Sequence, residues 1–424
     1  MKLKKILAML SSGVLAAAML GACGSSDSSD GDASKAGTTA ATTTTAVTTA
    51  AAPASATPID ISQGPTEAMY TRSVLNAGDT TRLQAKMNAA LADKKHMTNI
   101  AFIGGSITQG SSASTENQYT NRVIDWWEDN ISIYVAPIYA GIGATDSYIG
   151  VHRVDADVLA KNPDIIFIEF SVNDTDTTLN KLTYDSLVRK CLNAENHPAV
   201  VLVCMTQDNG TSLQEVHAEI GKAYNLPMIS YHDAIMPEIQ AGSLSWKSIS
   251  DDNIHPNNNG HPVLAKLITH YFDGVLSGID STVTEAPAFT TPAVTGDLYA
   301  NATMGNQNTG NVTVTDRGTF TDDVAFQTFT GGWGTTTGGS IKFEVNARNI
   351  GMIYLESING DMGVAQVYVD GTLSKTIDAA FPNGWGNYAQ GAEVYTSSAA
   401  AKHTVEVKVT GDIKGFQIIS LLLS

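Results

Sequence analysis

The chain has 424 residues, 43% of them hydrophobic, and carries 42 acidic against 25 basic side chains for a formal net charge of −17. A body this acidic repels nucleic acid and anionic lipid at long range, so we expect no nucleic-acid partner and favour a neutral substrate. The composition is that of a globular protein, and the length suffices for two domains.

The first residues have the features of an export signal. Residues 1–22 combine three lysines, a short apolar stretch and small residues, as secretory signals do. Leu20-Gly21-Ala22-Cys23 resembles the lipobox of bacterial lipoproteins, which implies cleavage before Cys23 and lipidation of that cysteine. The alternative is an ordinary secretory signal with an incidental cysteine. We expect an exported protein at the bacterial cell surface that touches the membrane only through its lipid.

Residues 23–58 have the composition of a linker. They are mostly Ser, Asp, Ala, Thr and Gly, which cannot bury enough apolar surface to offset the entropy of ordering. The segment is therefore predicted to be a disordered tether. A flexible coil of about 34 residues reaches on the order of 30 Å, which is enough to hold a folded body clear of a membrane.

Short apolar runs alternate with amphipathic helical patterns in residues 59–285. The runs are NIAFIG, ISIYVAPIYA, DIIFIEFSV, AVVLVCMT and PMISYH. Strands that are apolar on both faces and separated by helices are typical of a parallel sheet covered on both sides. We predict a three-layer α/β/α domain. Its two cysteines, Cys191 and Cys204, lie in apolar surroundings; they could form one disulfide, but two buried free thiols are favoured.

Residues 286–424 contain strand patterns without helical segments between them. These are GNVTVTD, GSIKFEVNA, GMIYLES, GVAQVYVDGTL, KHTVEVKV and FQIISLLL. Asp370-Gly371 is a strong hairpin signal. The pattern predicts a β-sandwich of jelly-roll type as the second domain. The boundary is expected in STVTEAPAFTTPAVTG, a stretch rich in Thr, Pro and Ala.

Small or polar residues follow three of the predicted strands. The first strand ends in Gly105-Ser106, the second in the sequence GIGA at 141–144, and the third is followed by Asn173. Each feature alone has a simple explanation as a turn. Because ligands bind at the carboxyl ends of strands in open parallel sheets, their ordered occurrence predicts that they share one crevice.

A serine nucleophile needs a base and a group that orients the base. The segment SDDNIHPNNNGHP places Asp252 and His255 three residues apart in a loop, and Pro256 disfavours a helical conformation at the histidine. Two alternatives are a metal site that includes Asp251 and His261, and a polar cap for the last helix. Asparagine-rich surroundings are unusual for zinc, so we expect no metal.

The ordered motifs GGS, GIGA, VND and DxxH resemble those of the SGNH (GDSL-type) hydrolase superfamily, from Asn99 to the final helix of the first domain. The resemblance implies that Ser106 is the nucleophile, His255 the general base and acid, and Asp252 its orienting carboxylate, with no cofactor. It also implies an oxyanion hole made by the Ser106 N–H, a backbone N–H of the second motif and the Asn173 side-chain amide.

The sequence departs from the family pattern at two positions. Gly105 replaces the aspartate of the Gly-Asp-Ser signature, which resembles the GGSIT variant of bacterial carbohydrate esterases. The glycine of the second motif aligns with either Gly143 or Ala144, and an alanine could supply the same N–H where its φ is negative. Both residues therefore remain candidates.

Glu169 interrupts a strand that is otherwise predicted to be buried. Because a buried charge needs a partner, we expect it to pair with Arg153.

The predicted second domain carries aromatic residues in glycine-rich loops, at Trp333, Trp385 and Tyr388. Such rings could stack on sugar faces, or they could fill the sandwich core. An esterase followed by a β-sandwich also resembles two-module carbohydrate esterases that deacetylate plant hemicelluloses.

We therefore expect a serine esterase that removes O-acetyl groups from a polysaccharide or oligosaccharide of xylan or mannan through an acyl-enzyme. The alternatives are a lipase-like or arylesterase enzyme acting on small or lipid esters, and a non-catalytic glycan-binding surface lipoprotein.

Overall fold

The computed structural model describes residues 57–424. The predicted signal, Cys23 and the predicted tether up to residue 56 lie outside the described residues. The described residues all belong to one compact unit. None of the helices within residues 57–424 is long and apolar enough to cross a membrane.

A six-stranded sheet covered by helices forms the first part of the described chain. Its strands are β1 (Val74–Asn76), β2 (Thr98–Gly104), β3 (Val135–Gly141), β4 (Ile165–Glu169), β5 (Ala199–Cys204) and β6 (Met228–Ser230). They lie in the order β1-β6-β5-β4-β2-β3, and β1 alone among them is antiparallel to its neighbour. The helices are α1 (Glu67–Ser73), α2 (Thr81–Ala92), α3 (Ser106–Gln109), α4 (Tyr119–Asn130), α5 (Ser147–Asp157), α6 (Thr178–Leu192), α7 (Gln214–Ala223), α8 (Tyr231–Ala241) and α9 (Gly260–Ser277).

Strand β2 shows why the sheet has helices on both faces. Ile100 and Phe102 belong to one hydrophobic cluster, whereas Ala101 and Ile103 belong to another, and all four side chains are fully buried. Successive side chains of a strand point to opposite faces, so an unbroken apolar run needs cover on both sides. The predicted α/β/α architecture is confirmed. The apolar pattern does not predict β1, which is only three residues long, or helices α1, α2, α3 and α8.

Nine antiparallel strands form the β-sandwich that the sequence predicts. They are β7 (Thr303–Gly305), β8 (Val312–Asp316), β9 (Thr321–Phe326), β10 (Phe329–Thr335), β11 (Gly339–Glu356), β12 (Val364–Val369), β13 (Thr372–Asp378), β14 (Tyr388–Thr410) and β15 (Phe416–Leu423). Asp370 and Gly371, with φ of 50° and 79°, form the turn between β12 and β13.

Two of the predicted strands are in fact one. GSIKFEVNA and GMIYLES form the single 18-residue strand β11. Its pairing with β14 shifts register between Ala347 and Asn349 and again between Ile350 and Gly351. Such bulges bend a ladder without ending it, and this is why an interruption in the apolar pattern does not mark a strand end here.

The α/β part and the sandwich share one hydrophobic cluster. The Tyr148 ring of α5 is buried at this contact and meets Tyr299 edge-on, with 5.9 Å between the ring centroids. Gly351 of β11 allows this close approach, because a Cβ there would lie 1.9 Å from the Tyr148 hydroxyl. Tyr299 also donates a hydrogen bond of 2.6 Å to Glu393 of β14. The sandwich therefore packs directly on the helix that follows the GIGA motif.

The connection between α9 and β7, residues 278–302, contains no regular helix or strand. The predicted boundary between residues 285 and 286 falls inside it. The Thr295 N–H and hydroxyl donate to the Asp185 carboxylate at 2.7 and 2.6 Å, and the Val294 N–H donates to the Tyr224 hydroxyl at 3.0 Å. These hydrogen bonds therefore hold the connection against the surface of the α/β domain.

Within residues 57–424, Cys191 and Cys204 are both buried and free, as expected for two buried thiols. Burial raises the pKa of the Cys191 thiol to about 12, so it stays protonated and behaves as a small apolar side chain.

Candidate active site

A hydrogen-bonded chain of three side chains forms the centre of the candidate site. Ser106 Oγ lies 2.8 Å from His255 Nε2, and His255 Nδ1 lies 2.7 Å from Asp252 Oδ2. With Nδ1 donating to the carboxylate, Nε2 is free to accept the serine proton. The structure thus brings together the three residues that the sequence predicts as nucleophile, base and orienting group, in the geometry that nucleophilic catalysis requires.

The turn after β2 presents Ser106. The strand ends at Gly104, Gly105 has φ −85° and ψ −147°, and α3 begins at Ser106. The Asn173 amide packs against Gly105, where a Cβ would lie 2.2 Å from Asn173 Oδ1. The glycine that replaces the signature aspartate is therefore the residue that lets Asn173 approach the nucleophile.

The Asp252–His255 loop is held by its own hydrogen bonds. Asp252 Oδ1 accepts from the backbone N–H groups of Ile254 and His255, each at 2.7 Å. The Trp246 indole N–H donates to the Asp252 carbonyl at 2.6 Å, and the Ser250 hydroxyl lies 2.7 Å from the His255 carbonyl. This network fixes the separation between carboxylate and imidazole.

The same contacts keep Asp252 ionised. Burial by itself would raise the pKa of Asp252, but hydrogen bonds from the His255 side chain and from the N–H groups of His255 and Ile254 outweigh it and hold the pKa below the ordinary value. An ionised carboxylate can stabilise the imidazolium that forms when His255 takes a proton.

The GIGA turn lies beside the serine. A Cβ on Gly143 would be 3.9 Å from Ser106 Cβ, and within residues 57–424 the N–H groups of Gly143 and Ala144 have no hydrogen-bond acceptor. Both remain available as donors to an oxyanion. The condition stated for an alanine to supply this N–H, a negative φ, is not met, because Ala144 has a φ of 63°. Its backbone is held in the left-handed region, where a non-glycine residue is strained.

Asp174 ties the second motif to the third. Its carboxylate accepts from the Ser147 N–H at 2.7 Å, at the start of α5, and from His217 Nε2 at 3.0 Å. Because Ser147 follows the GIGA turn and Asp174 follows Asn173, this buried carboxylate fixes the two stretches relative to each other.

The expected Glu169–Arg153 pair is wrong. Among the described residues, Arg153 donates to the Ala140 and Gly104 carbonyls at 2.7 and 3.0 Å and pairs with Asp157 at 3.0 Å. Arg153 thus ties together the ends of β2 and β3, the strands that carry the serine and the GIGA turn. Backbone carbonyl oxygens at the strand ends are thus partners of the Arg153 guanidinium, and a sequence does not show which carbonyl oxygens are available.

Glu169 instead accepts a hydrogen bond of 3.1 Å from the Thr108 hydroxyl of α3, and its other oxygen has no partner in the described part of the chain. Burial, followed by the charge of Asp174, raises the pKa of Glu169 to about 7. Thr108 is the last residue of the GGSIT sequence, and its hydroxyl also lies 3.0 Å from the Tyr119 hydroxyl. The Thr108 hydroxyl therefore links α3, which begins with Ser106, to the end of β4.

His261, the alternative metal ligand, has a structural role. Its Nδ1 accepts from the Tyr119 N–H at 3.3 Å and its Nε2 donates to the Ser111 carbonyl at 3.2 Å. Burial lowers the pKa of His261 to about 4, so the ring stays neutral and keeps both bonds. In the described part of the chain, no three His, Cys, Asp or Glu side chains are placed to hold a metal ion.

A cavity of about 510 Å³ opens in front of Ser106, and its walls come from both domains. The α/β domain contributes the three residues of the hydrogen-bonded chain, the Gly143–Ala144 turn, Val172 and Asn173, and Ser111, Asn253 and Ile254. The sandwich contributes Gln327, Trp385, Asn387 and Tyr388.

The predicted aromatic residues divide between this cavity and the core. The Trp385 side chain is 70% exposed and stacks on Tyr388 with 4.9 Å between ring centroids. Trp333 is only 1% exposed and packs edge-on against Phe343. The assignment of Trp333 as a sugar-binding residue is corrected: it fills the sandwich core.

Gln327 and Asn387 are cavity residues that the sequence pattern does not predict. Gln327 is a single polar residue in a hairpin turn and Asn387 one in a loop, and the packing of the sandwich on the α/β domain brings both to the cavity. Asn387 stands in the loop FPNGWGNY with Trp385, so a search of that loop for side chains able to bind a sugar hydroxyl would have found it.

Comparisons with known proteins show what the chain is similar to. The model of the GDSL-like lipase/acylhydrolase family matches residues 102–263, and no curated protein sequence matches the chain. A crystal structure of a two-domain esterase (CEX) active on acetylated mannans is 35% identical, with a TM-score of 0.77, and the match covers 84% of this chain and 98% of that one. A co-crystal of such an esterase with mannopentaose is 34% identical, with a TM-score of 0.76, over 84% and 97% of the two chains.

The similarity to these solved structures spans both domains at more than 30% identity. The chain therefore belongs to the GDSL-like lipase/acylhydrolase family and is a carboxylic ester hydrolase.

Proposed function

We propose that this protein is a serine carbohydrate esterase that removes O-acetyl groups from a mannan-type polysaccharide or its oligosaccharides. The observation that carries the proposal is the Ser106–His255–Asp252 chain, which opens into a cavity that the exposed Trp385 also lines. The activity of the similar two-domain esterase on acetylated mannans favours mannan over xylan.

The first half of the reaction forms an acyl-enzyme. Ser106 Oγ attacks the acetyl carbonyl carbon while its proton passes to His255 Nε2. The tetrahedral intermediate then collapses, the bond between the carbonyl carbon and the sugar oxygen breaks, and His255 returns the proton to that oxygen. The sugar leaves with a free hydroxyl, and the acetyl group stays on Ser106.

Water completes the cycle. A water molecule gives one proton to His255 while its oxygen attacks the carbonyl carbon of acetyl-Ser106. The bond between that carbon and Ser106 Oγ then breaks, acetic acid leaves, and the proton on His255 passes to Ser106 Oγ. In both halves the negative charge forms on the carbonyl oxygen. The Ser106 N–H, the N–H of Gly143 or Ala144 and the Asn173 amide are the donors we assign to it, and losing one such donor slows turnover by about 10²- to 10³-fold.

The sandwich wall gives the enzyme a way to recognise a sugar. Trp385 and Tyr388 present a stacked pair of rings at the cavity, and pyranose rings carry apolar C–H faces that pack on aromatic surfaces. Asn387 adds an amide beside them that can bond a hydroxyl. A sugar held there would present its acetyl group to Ser106.

The test is acetate release from acetylated mannan and from acetylated xylan by the full-length protein and its Ser106→Ala variant. We expect release from mannan that the variant abolishes. Release from xylan alone would change the substrate. Hydrolysis of a short aryl ester or a lipid ester without release from either polymer would favour the lipase-like or arylesterase alternative. No hydrolysis of any ester would leave a glycan-binding lipoprotein.

We further propose that the protein is exported and anchored through a lipid on Cys23. The support is the lysine-rich apolar start and the lipobox-like Leu20-Gly21-Ala22-Cys23. Labelling with a radioactive fatty acid in the producing cell should mark the wild-type protein and not Cys23→Ser. Equal labelling of the two would contradict the anchor.

A further inference from the structure

The turn between β9 and β10 brings a strained residue to the active site. Phe326 and Phe329 pair across the hairpin, which leaves Gln327 and Thr328 as its two-residue turn. Gln327 has φ 54°. Tight hairpin turns favour glycine at left-handed positions because a side chain there costs conformational energy. Backbone strain of this kind persists where the surrounding structure holds the residue in place, and it is common at functional sites.

The Gln327 side chain reaches from the sandwich to the GIGA turn. Its Nε2 donates to the Gly143 carbonyl oxygen at 3.4 Å, and the side chain lines the same cavity as Ser106. Two glutamine side chains lie beside Gly143, since a Cβ on it would be 2.9 Å from Gln109 Oε1 and 3.5 Å from Gln327 Nε2. The contact joins residues 184 positions apart in the chain.

The Gly143 carbonyl belongs to the same peptide unit as the Ala144 N–H. In a planar trans peptide these two groups point in opposite directions, so a donor that fixes the carbonyl also fixes the direction of the N–H. A hydrogen bond to the oxygen also polarises the N–H and makes it a better donor. The Ala144 N–H has no acceptor within residues 57–424, and Ala144 holds a left-handed φ of 63° that local sequence does not favour.

We propose that Gln327 is a positioning residue for ester hydrolysis: it holds the Gly143–Ala144 peptide so that the Ala144 N–H faces the oxyanion. The second domain thereby completes the oxyanion hole of the first. This inference rests on the proposed acyl-transfer mechanism and assigns the donor of the second motif to Ala144. Gln327 is thus both the residue of this turn with a left-handed backbone and the one whose side chain contacts Gly143.

The test uses p-nitrophenyl acetate, which is too small to need the sugar-binding wall, and the full-length protein. Gln327→Met keeps the side-chain length but removes the donor. Gln327→Gly removes the donor and relieves the strain. Asp323→Gly is the matched control, because Asp323 of β9 also has a positive φ, of 62°, but lies outside the cavity.

We expect both Gln327 variants to lower kcat roughly 3- to 10-fold, the effect of one lost hydrogen bond, with KM within about twofold of wild type. Asp323→Gly should keep the wild-type kcat. Gln327→Gly should also melt at a higher temperature than wild type, so that stability rises while kcat falls.

Wild-type kcat in Gln327→Met would overturn the positioning role, as would a fall in kcat for Asp323→Gly equal to that of Gln327→Gly. The Ser106→Ala variant separates this result from the proposed function. If it is inactive while Gln327→Met is fully active, the serine mechanism stands and the role of Gln327 fails. If Ser106→Ala keeps its activity, the mechanism itself fails.

Discussion

Asn173 lies so close to Gly105 that a Cβ at residue 105 would be 2.2 Å from Asn173 Oδ1 and 3.3 Å from its Nδ2. The residue before the nucleophile and the amide assigned to the oxyanion are therefore coupled by contact. Gly105 does not need a left-handed backbone, since its φ is −85°. Its role is to leave space for the amide.

Gly105→Ala should displace the Asn173 amide and slow turnover by roughly 10- to 100-fold, somewhat less than complete loss of one oxyanion donor. The measurement is the turnover rate with saturating p-nitrophenyl acetate, with the melting temperature followed in parallel. Gly274→Ala is a matched control in the last turns of α9, where an added Cβ meets nothing within 4 Å. Equal turnover rates in the two variants would show that the contact is not needed.

Asp252→Asn should slow turnover by roughly 10²- to 10⁴-fold, because a neutral amide neither fixes the imidazole tautomer nor stabilises the imidazolium. The loop should keep its shape, since the amide oxygen can still accept from the Ile254 and His255 N–H groups. The measurement is the turnover rate with p-nitrophenyl acetate, beside a circular dichroism spectrum. A variant as fast as wild type would show that Asp252 is not the orienting group.

Glu169→Gln should change how stability depends on pH. The pKa of Glu169 is raised to about 7 in the folded protein from the ordinary 4.5, so the folded state binds a proton that the unfolded state releases. The contribution of this carboxyl group to the free energy of unfolding is fully present below pH 4.5. It falls by up to about 3 kcal/mol as the pH rises towards 7.

A glutamine at residue 169 has no such proton to lose. Relative to wild type, the variant should therefore gain stability between pH 5 and pH 8, as measured by urea unfolding at both values. A difference between variant and wild type that is the same at the two pH values would mean that Glu169 does not titrate in this range.

The part of the site that the sequence predicts lies in local patterns. Ser106, the GIGA turn and Asn173 each follow an apolar run, and parallel strands bring such ends to one edge of the sheet. Asp252 and His255 are close in the chain, so their pairing needs only a loop. The order of the motifs is enough to place these residues together.

The rest depends on contacts between distant residues. Arg153 binds carbonyl oxygens rather than Glu169, and no sequence pattern marks which backbone groups remain unpaired at the ends of strands.

Gln327 reaches Gly143 only because Tyr148 and Gly351 pack the sandwich against α5. Trp333 and Trp385 stand in similar glycine-rich sequences, but one lies on β10 inside the sandwich and the other in a loop over the cavity.

These two tryptophans provide the last prediction. Trp385→Ala removes an exposed ring that stacks on Tyr388 at the cavity. It should raise KM for acetylated mannan oligosaccharides about 3- to 10-fold, in line with the loss of one aromatic stacking contact. The effect on p-nitrophenyl acetate should be smaller, and the melting temperature should change little because the side chain is 70% exposed.

Trp333→Ala is the contrasting variant. Its ring is 1% exposed, and emptying such a site costs about 3–5 kcal/mol, so the protein should melt at a clearly lower temperature. Initial rates across a range of oligosaccharide concentrations, together with thermal melts of both variants, separate the two roles. If Trp385→Ala leaves KM for the oligosaccharide unchanged, the sandwich wall does not bind the sugar, and recognition has to come from the α/β domain alone.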